Sequence, residues 1–215
     1  MADEAQLSPF VFACQGGLVL DQSTFAMQPG MALELQNFEP DISGGYRRIS
    51  GYAKWNSNIV PQTAASTEPV LMVAHFNSKV IAARGTKIFE GGTTGSWSEI
   101  DTGRTNAGRY TFFRYNLAGT DFIIWADGAN NATKYDGSTV TDINASGAPA
   151  NPKFVTGFKD HLFFAGMSST PQQLTFTAPF TDNDFQTSNG AGTIKVDSNI
   201  TGLFPFRDAL FIFCE

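Results

Sequence analysis

Charge is scarce in this sequence. Of its 215 residues, 16% are charged, against about 25% in a typical soluble domain. Lys and Arg number 14 and Asp and Glu 20, which gives a formal net charge of −6 at pH 7. Because proteins that grip phosphate backbones usually carry a basic face, we do not expect sequence-specific nucleic-acid binding. A surface of this kind is compatible with passive contact with DNA that slides past it.

Cysteine and histidine are nearly absent. The two cysteines, Cys14 and Cys214, lie at opposite ends of the chain, and a disulfide framework or a four-ligand zinc site needs more of them. Both have apolar neighbours, which predicts buried free thiols. The two histidines, His75 and His161, stand beside strand aromatics and are predicted to be packing residues. Since no Gly-x-Ser-x-Gly motif occurs either, we predict a protein that is not an enzyme, with no catalytic residue, metal site or cofactor.

Long apolar runs are also missing. No stretch approaches the roughly 18 apolar residues that a transmembrane helix needs. The first ten residues, MADEAQLSPF, are acidic and lack the basic segment and apolar core of a secretory signal. We therefore expect no membrane partner, and synthesis in a cytoplasm.

Phenylalanine and glycine are abundant instead, with 20 and 21 residues. This composition favours aromatic strands separated by glycine turns. From residue 70 onward one pattern occurs repeatedly: a strand that ends in an aromatic residue, a polar turn and a strongly apolar strand. The segments that show it are VLMVAHFNSKVIAARG (70–85), RYTFFRYNLAGTDFIIWADG (109–128), NPKFVTGFKDHLFFAGM (151–167) and ITGLFPFRDALFIFCE (200–215).

The pattern recurs about every 40 to 48 residues, and the earlier units continue with a third and a fourth short strand. The third strands are predicted at 87–89, 132–135 and 174–177, and the fourth at 97–103, 139–145 and 184–190. Three or four antiparallel strands at this period are typical of β-propeller blades. The second strands are apolar on both faces, as expected for strands that lie between two neighbouring blades.

We therefore predict an all-β chain, a β-propeller-like array of three- to four-stranded antiparallel blades. It is preceded by an N-terminal arm (1–40) and by a hairpin with an exposed loop (41–69). The array occupies 70–215, divided into about 70–108, 109–150, 151–199 and a partial unit, 200–215. Three blades and a partial one do not close a ring of the usual four to eight. We expect an incomplete array, completed by further sequence, by the N-terminal strands or by a partner.

Two other propeller functions compete with that of a scaffold. A glycan-cleaving enzyme of the sialidase type needs several arginines around one carboxylate, but Arg47 and Arg48 are adjacent and would point to opposite faces of a strand. Glycan or receptor binding without catalysis needs exposed aromatic platforms, for which Trp55 and Trp97 are candidates. Trp125 lies in the apolar run FIIWADG and is predicted to be a core residue.

Two stretches resemble structural proteins of tailed-bacteriophage virions. Residues 16–52 carry, in the order found in those proteins, a Gly-Gly-Leu start, a Pro-Gly, an Asn-Phe-Glu and a Gly-Gly-Tyr-Arg-Arg-Ile element. Residues 159–185, KDHLFFAGMSSTPQQLTFTAPFTDNDF, are similar to the blade repeats of those proteins. In those families the chain normally continues past the element that matches FRDALFIFCE.

The resemblance implies a non-enzymatic neck, nozzle, tail or baseplate component, assembled in the host cytoplasm and resident in the virion. Its partners would be other virion structural proteins, and copies of the chain would form a ring on the particle axis. As contact surface we select Tyr46, Arg47, Arg48, Trp55 and the loop 56–69. For Tyr46 to Arg48, internal packing within a hairpin is an equal alternative. Glycan or receptor binding at the virion surface is the alternative function.

Overall fold

The computed structural model describes residues 16–63, 68–106, 108–117 and 119–215. The chain divides into two compact units, Met1–Lys54 and Trp55–Glu215. Nearly all regular structure in the described ranges is β-strand, arranged in sheets of two to four strands. The prediction of an all-β chain is therefore confirmed. Cys14 and the other early residues of the predicted arm lie outside the described residues.

The first unit contains two small sheets. In one of them β1 (Gly17–Leu18) pairs in parallel with β2 (Met31–Ala32). In the other, β3 (Phe38–Pro40) and β4 (Tyr46–Arg48) form an antiparallel hairpin. A single 3₁₀ turn, Thr24–Ala26, is the described helical element of this unit.

The hairpin predicted at 41–52 takes its first strand from the end of the predicted arm. Residues 41–45 are the turn, because the Asp41 carboxylate accepts a hydrogen bond from the Ser43 N–H at 2.8 Å. Gly44 and Gly45 have φ values of 95° and 80°, a conformation that costs glycine little and other residues more. Because residues 41–45 form the turn, the observed hairpin lies closer to the N-terminus than the predicted one.

The second unit contains three four-stranded antiparallel sheets in chain order, followed by a two-stranded hairpin. Sheet 1 consists of β5 (Val70–Phe76), β6 (Lys79–Arg84), β7 (Lys87–Gly91) and β8 (Ser98–Asp101). Sheet 2 consists of β9 (Thr111–Leu117), β10 (Thr120–Ala126), β11 (Thr133–Tyr135) and β12 (Val140–Asp142). Sheet 3 consists of β13 (Phe154–Phe158), β14 (His161–Ala165), β15 (Gln173–Phe176) and β16 (Gly192–Lys195). The terminal hairpin consists of β17 (Ile200–Phe206) and β18 (Ala209–Cys214).

The fourth strand of sheet 3 lies later than predicted. Residues 184–190 were expected to form it, but they contain a 3₁₀ turn, Thr187–Asn189, and the strand is β16. The Asp184 carboxylate accepts hydrogen bonds from the Gln186 N–H at 2.9 Å and from the Asn189 side chain at 2.7 Å. Such side-chain bonds to nearby groups compete with a strand ladder, so the prediction was wrong here.

Tight turns connect the first and second strands, as predicted. Asn77 and Ser78 join β5 to β6, and both have positive φ, 48° and 62°. Positive φ at both central residues is the mark of a type I′ turn, whose twist matches that of the flanking strands. Lys159 and Arg207 take positive φ at the corresponding turns of sheet 3 and the terminal hairpin. These two-residue connections fix the register of each strand pair.

Sheets 1, 2 and 3 each pack one face, here called the forward face, against the next sheet along the chain. Sheets 2 and 3 and the terminal hairpin pack the opposite face, the rear face, against the sheet before them. Because successive side chains on a strand point to opposite faces, Ala74 and Phe76 of β5 lie together on the forward face of sheet 1. They share a buried cluster with Ile123, Trp125 and Tyr135 on the rear face of sheet 2. This interface is aromatic and aliphatic on both sides.

The two later interfaces follow the same rule. On the forward side of sheet 2, Ile124 and Ala126 cluster with rear-face residues of sheet 3, namely Val155, Leu162 and Phe164. On the forward side of sheet 3, Phe154, Phe163 and Ala165 cluster with rear-face residues of the terminal hairpin, namely Leu203, Leu210 and Ile212. The core of the second unit is therefore a series of sheet-to-sheet interfaces.

The sheets form a propeller-like array that does not close into a barrel. The first strands lie side by side, β5 next to β9, β9 next to β13 and β13 next to β17. In a propeller the corresponding strands surround the central channel. The fold predicted from the repeats, an incomplete array of antiparallel blades, is the fold observed.

Burial of the second strands also follows the prediction, with one exception. Residues 81–83 and 123–126 are buried on both faces, whereas Phe211 and Phe213 of β18 remain 48% and 52% exposed. Cys214, at the end of β18, is exposed. The prediction of a buried thiol is wrong for Cys214, because it ends β18, beyond Leu210 and Ile212, the residues of that strand that pack against sheet 3.

The interface model predicts which phenylalanine is costly to remove. Phe164 is fully buried, and its ring centroid lies 5.9 Å from that of Phe185. We expect Phe164→Ala to lower the free energy of unfolding by about 3–5 kcal/mol. Phe180 is 63% exposed, so Phe180→Ala is the control. It should change the free energy of unfolding by less than about 0.5 kcal/mol. Urea denaturation measures both, and equal losses would contradict the assignment of the core.

Candidate protein–protein interface

The terminal hairpin presents an open aromatic face. Phe204 and Phe211 are directly opposite each other in the strand pair, so their side chains lie on the same face, together with Phe206 and Phe213. Their exposed fractions lie between 48% and 55%. The rings of Phe206 and Phe211 are 6.3 Å apart, and the Arg207 guanidinium lies 5.3 Å from the Phe206 ring. Exposed apolar side chains that lie together in this way make the hairpin a candidate contact surface.

We call these residues the aromatic face: Phe204, Phe206, Phe211 and Phe213. Its position in the fold is the forward face of the terminal hairpin, since Leu203, Leu210 and Ile212 pack in the other direction, against sheet 3. The sequence contained a signal for it, the alternating phenylalanines of LFPFRDALFIFC. The pattern predicts that this segment lies inside the array, and it is not among the predicted contact residues.

An apolar groove lies beside the aromatic face. Its volume is about 390 Å³, and it is lined by segments of three adjacent first strands, at 110–113, 154–156 and 203–205. Phe112 and Phe204 are the half-exposed aromatic residues of this lining. The groove extends apolar surface from the terminal hairpin along the inner strands of sheets 2 and 3.

The predicted contact residues Tyr46, Arg47 and Arg48 are the strand β4 of the first unit. Arg47 pairs across the hairpin with Glu39, with 2.8 Å between Nη2 and Oε1, and Tyr46 packs its ring edge-on at 5.5 Å from the ring of Phe38. Arg48 is exposed. Two of these three side chains therefore have partners within the hairpin itself. The role of β4 as a contact surface stays a prediction.

Trp55, the fourth predicted contact residue, belongs to the second unit. It is 42% exposed, and its ring centroid is 6.3 Å from that of Trp97. The Trp97 indole N–H donates to the Asn58 carbonyl at 2.9 Å. A Cβ on Gly91 would come within 2.6 Å of the Trp97 ring, so this ring lies directly on β7. The two indole rings therefore form an aromatic pair on the surface of sheet 1.

The described part of the loop 56–69 is anchored rather than freely exposed. Arg84 donates to the carbonyls of Val60 and Glu68. The Glu68 carboxylate accepts the Thr63 N–H at 2.7 Å, and Thr63 Oγ1 accepts the Thr86 N–H at 3.1 Å. Arg84 lies on the rear face of sheet 1, so this segment covers part of that face. The loop predicted to be exposed is therefore partly held against sheet 1, with residues 57–59 and 62 exposed.

A buried arginine joins sheet 1 to sheet 2. Arg104 is 7% exposed and pairs through Nε with the Asp101 carboxylate, while its Nη2 donates to Thr133 Oγ1 at 2.5 Å. Asp127 Oδ2 lies 4.0 Å from Nη1. The guanidinium also stands 5.8 Å from the ring centroid of Trp125, which is fully buried, as the sequence predicted. This network is a cross-link between neighbouring sheets.

The surroundings of Arg104 are polar. A cavity of about 310 Å³ is lined mainly by backbone and by amide and carboxylate side chains from 101–104, 129–131, Asp142 and Asn151. Asp127 accepts hydrogen bonds from the backbone N–H groups of Ala129 and Asn130 at 2.9 and 2.8 Å. Within the described ranges, no group of three or more His, Cys, Asp and Glu side chains is placed to hold a metal ion. The polar groups serve the turn after β10 and the contact between sheets.

The two histidines occupy different environments. His161 Nδ1 lies 2.6 Å from the Thr177 carbonyl oxygen, and its ring packs edge-on against Phe176 at 5.5 Å. This is the packing role that the sequence predicted. His75 is exposed on the rear face of sheet 1, so it is not a packing residue within the described chain.

Comparison with known proteins gives no family. No protein-family model matches the chain, and no curated protein matches it. A crystal structure of the computationally designed Ika8 protein is similar with a TM-score of 0.48 and 10% identity, over 67% of this chain and 42% of that one. The chain thus spans less than half of that protein, and a likeness at this level carries no argument about fold or function. Among the described residues, no helix has the length and apolar character needed to cross a membrane.

The Arg104 network predicts a large loss when the cation is removed. Arg104→Met leaves the Asp101 and Asp127 carboxylates without their buried partner, so we expect the free energy of unfolding to fall by about 3–5 kcal/mol. Arg109 is exposed, and Arg109→Met is the matched control, with an expected change below about 0.5 kcal/mol. Chemical denaturation measures both. A loss of unfolding free energy below about 1 kcal/mol for Arg104→Met would refute the role of Arg104 in holding sheets 1 and 2 together.

The same cluster predicts a loss of stability in alkali. Burial raises the pKa of the Tyr110 phenol well above its usual range, and the Asp127 carboxylate raises this pKa further. Above about pH 10, the unfolded phenol loses its proton while the folded one retains it, so the free energy of unfolding falls as the pH rises. Tyr110→Phe should reduce that fall. Tyr52→Phe, at a residue that is 93% exposed, should leave it unchanged in thermal melts across this pH range.

Proposed function

We propose that this chain is a non-enzymatic structural component of a tailed-phage virion, in a neck, nozzle, tail or baseplate ring. The observation that carries the proposal is the aromatic face, whose four phenylalanine side chains are about half exposed in the described chain. A surface of this kind is stabilised when a protein partner buries it. The partners would be other virion structural proteins and further copies of the chain.

Three further observations support this function. Residues 16–52 and 159–185 resemble virion structural proteins. The net charge of −6 suits a surface near which DNA passes without being gripped. The buried polar groups of the second unit are used for sheet-to-sheet contacts, as at Arg104, rather than arranged around a reacting centre. The proposed location is the virion, with assembly in the host cytoplasm.

A second candidate function, glycan or receptor binding, is favoured by the exposed Trp55 beside Trp97. Paired indole rings at a surface offer a platform on which sugar rings stack. Such a module would need no partner over the aromatic face. The two functions therefore differ in where the protein is found and in which surface it uses.

The test of the proposed function is the composition of the particle. Particles made by the genome that encodes this chain are purified, and quantitative mass spectrometry should detect the chain at a fixed copy number per particle. Antibody labelling in electron microscopy should place it at one point on the particle axis. Particles from a strain that lacks the gene are the control, and we expect them to lack the corresponding ring.

Absence of the chain from purified particles would refute the proposal. If, in addition, an added glycan changed the tryptophan fluorescence of the wild-type protein but not that of Trp55→Ala, the second candidate function would replace it.

A further inference from the structure

The polar cavity is the space of about 310 Å³ lined by 101–104, 129–131, Asp142 and Asn151. Its walls are the segment after β8, the turn after β10, the end of β12 and the segment before β13. The Asn130 side chain ties the first two walls together. Its Oδ1 accepts the Thr105 N–H at 2.9 Å, and its Nδ2 donates to the Thr105 carbonyl at 3.2 Å and to Asp127 at 2.6 Å. Walls fixed in this way need little ordering when a ligand enters.

Several hydrogen-bonding groups of this lining have no partner in the described chain. The Arg104 side chain is 6% exposed, and its hydrogen bonds use Nε and Nη2. Its Nη1 lies 4.0 Å from Asp127 Oδ2, which is longer than a hydrogen bond. The side-chain amides of Asn131 and Asn151 and the Oδ2 of Asp142 also make no hydrogen bond to a described residue. Because a buried donor without an acceptor costs free energy, a molecule that supplies acceptors stabilises this site.

The charges around the polar cavity restrict the class of that molecule. Three carboxylates lie around the Arg104 guanidinium, those of Asp101, Asp127 and Asp142. They repel an anion. The guanidinium repels a metal ion, and in the described ranges no group of three or more His, Cys, Asp and Glu side chains is placed to hold one. An apolar molecule would leave the polar lining without hydrogen bonds. The class that fits is an uncharged molecule rich in polar groups.

We propose that the polar cavity binds a saccharide ring through its hydroxyl groups. A hydroxyl group both donates and accepts hydrogen bonds, so it suits a lining that mixes unused donors with unused acceptors. Arg104 Nη2 and Asp142 Oδ1 lie 2.5 and 3.0 Å from the same atom, Thr133 Oγ1. Adjacent hydroxyls of one ring therefore accept from Arg104 Nη1 and donate to Asp142 Oδ2. The volume is at the lower end of small-molecule sites, which fits a single ring.

This site goes beyond the proposed function and does not depend on it. Its lining shares no residue with the aromatic face. It also differs from the second candidate function, in which sugars stack on the rings of Trp55 and Trp97. In the polar cavity, the ring is held by hydrogen bonds to side chains of sheets 1 and 2.

Saturation-transfer NMR on the full chain tests the site with D-glucose, D-galactose, D-mannose and N-acetyl-D-glucosamine, each added alone. At least one of them should bind with a Kd in the low millimolar range, as expected for a ligand of this size. Asp142→Ala removes a charged acceptor and should raise this Kd by about tenfold or more. Asn131→Ala removes a neutral amide and should raise it by about fivefold.

Matched controls separate the site from general effects of substitution. Asp160 and Asn144 are exposed and lie outside the lining, so Asp160→Ala and Asn144→Ala should leave the Kd unchanged. Asp142 also accepts a hydrogen bond from Thr133 at 3.0 Å, so the unfolding temperature of every variant is measured. Asn131→Ala breaks no side-chain hydrogen bond in the described chain, and it keeps the test decisive if Asp142→Ala is destabilised.

A second measurement locates the ligand directly. In nitrogen-15 correlation spectra, the bound saccharide should shift the backbone amides of 102–105, 129–131 and Asp142, which lie at the cavity. It should leave the indole signals of Trp55 and Trp97 in place. Calcium chloride alone should shift none of the cavity amides.

Three outcomes would overturn the proposal. The first is that no sugar binds, since the sugars used present adjacent hydroxyls in both cis and trans arrangements. The second is that calcium chloride shifts the cavity amides. The third is that Trp55→Ala abolishes sugar binding while Asp142→Ala and Asn131→Ala retain it, which would assign the binding to the second candidate function. None of these results bears on whether the chain is found in purified particles, so the proposed function is tested separately.

Discussion

The fold of the second unit depends on strict alternation of side chains along short strands. Every first and second strand directs one set of side chains forward and the other set to the rear. At each of the three interfaces, the forward set of one sheet meets the rear set of the next. A face of a sheet is buried only where an adjacent sheet or segment packs against it. Stability is therefore shared between nearest neighbours, as in repeat proteins whose units contact only the adjacent ones.

Polar chemistry in this unit serves the same purpose as apolar packing. Arg104 lies after β8 and reaches Thr133 on β11, while its backbone N–H bonds the Thr86 carbonyl within sheet 1 at 3.1 Å. The fully buried Trp125 lies beside it and belongs to the apolar cluster between the same two sheets. The buried Arg104 guanidinium is stabilised because it bonds to Asp101 on one sheet and to Thr133 on the other.

Much of this fold could be predicted from the sequence, since period and alternation are local properties. The four segments beginning near residues 70, 109, 151 and 200 are the four first-and-second-strand pairs of the structure. The errors arose where side chains bond to nearby backbone, as Asp41 does in the first unit and Asp184 in sheet 3. Those bonds depend on turn geometry that a hydrophobic pattern does not record.

The interaction surfaces were harder to predict than the fold. Phe211 and Phe164 stand in similar apolar runs, and the difference between them is whether another sheet packs against the face that carries them. The anchoring of the 56–63 segment by Arg84 likewise joins residues far apart in sequence. Whether an aromatic side chain is exposed depends on the residues that lie near it in the folded chain. A single sequence does not show which residues those are.

The two-residue turns have a consequence for how this protein tolerates changes of length. Asn77 and Ser78 hold Phe76 opposite Lys79, and the same short connection recurs at 159–160 and 207–208. A single residue inserted at such a tip requires either a three-residue turn with its own backbone conformation or a shift of the register by one, and the shift turns every following side chain to the other face. A substitution at a tip alters one residue and leaves the register unchanged. Genetic variation by insertion or deletion should therefore be far rarer at these tips than in the longer connections at the outer edges of the sheets.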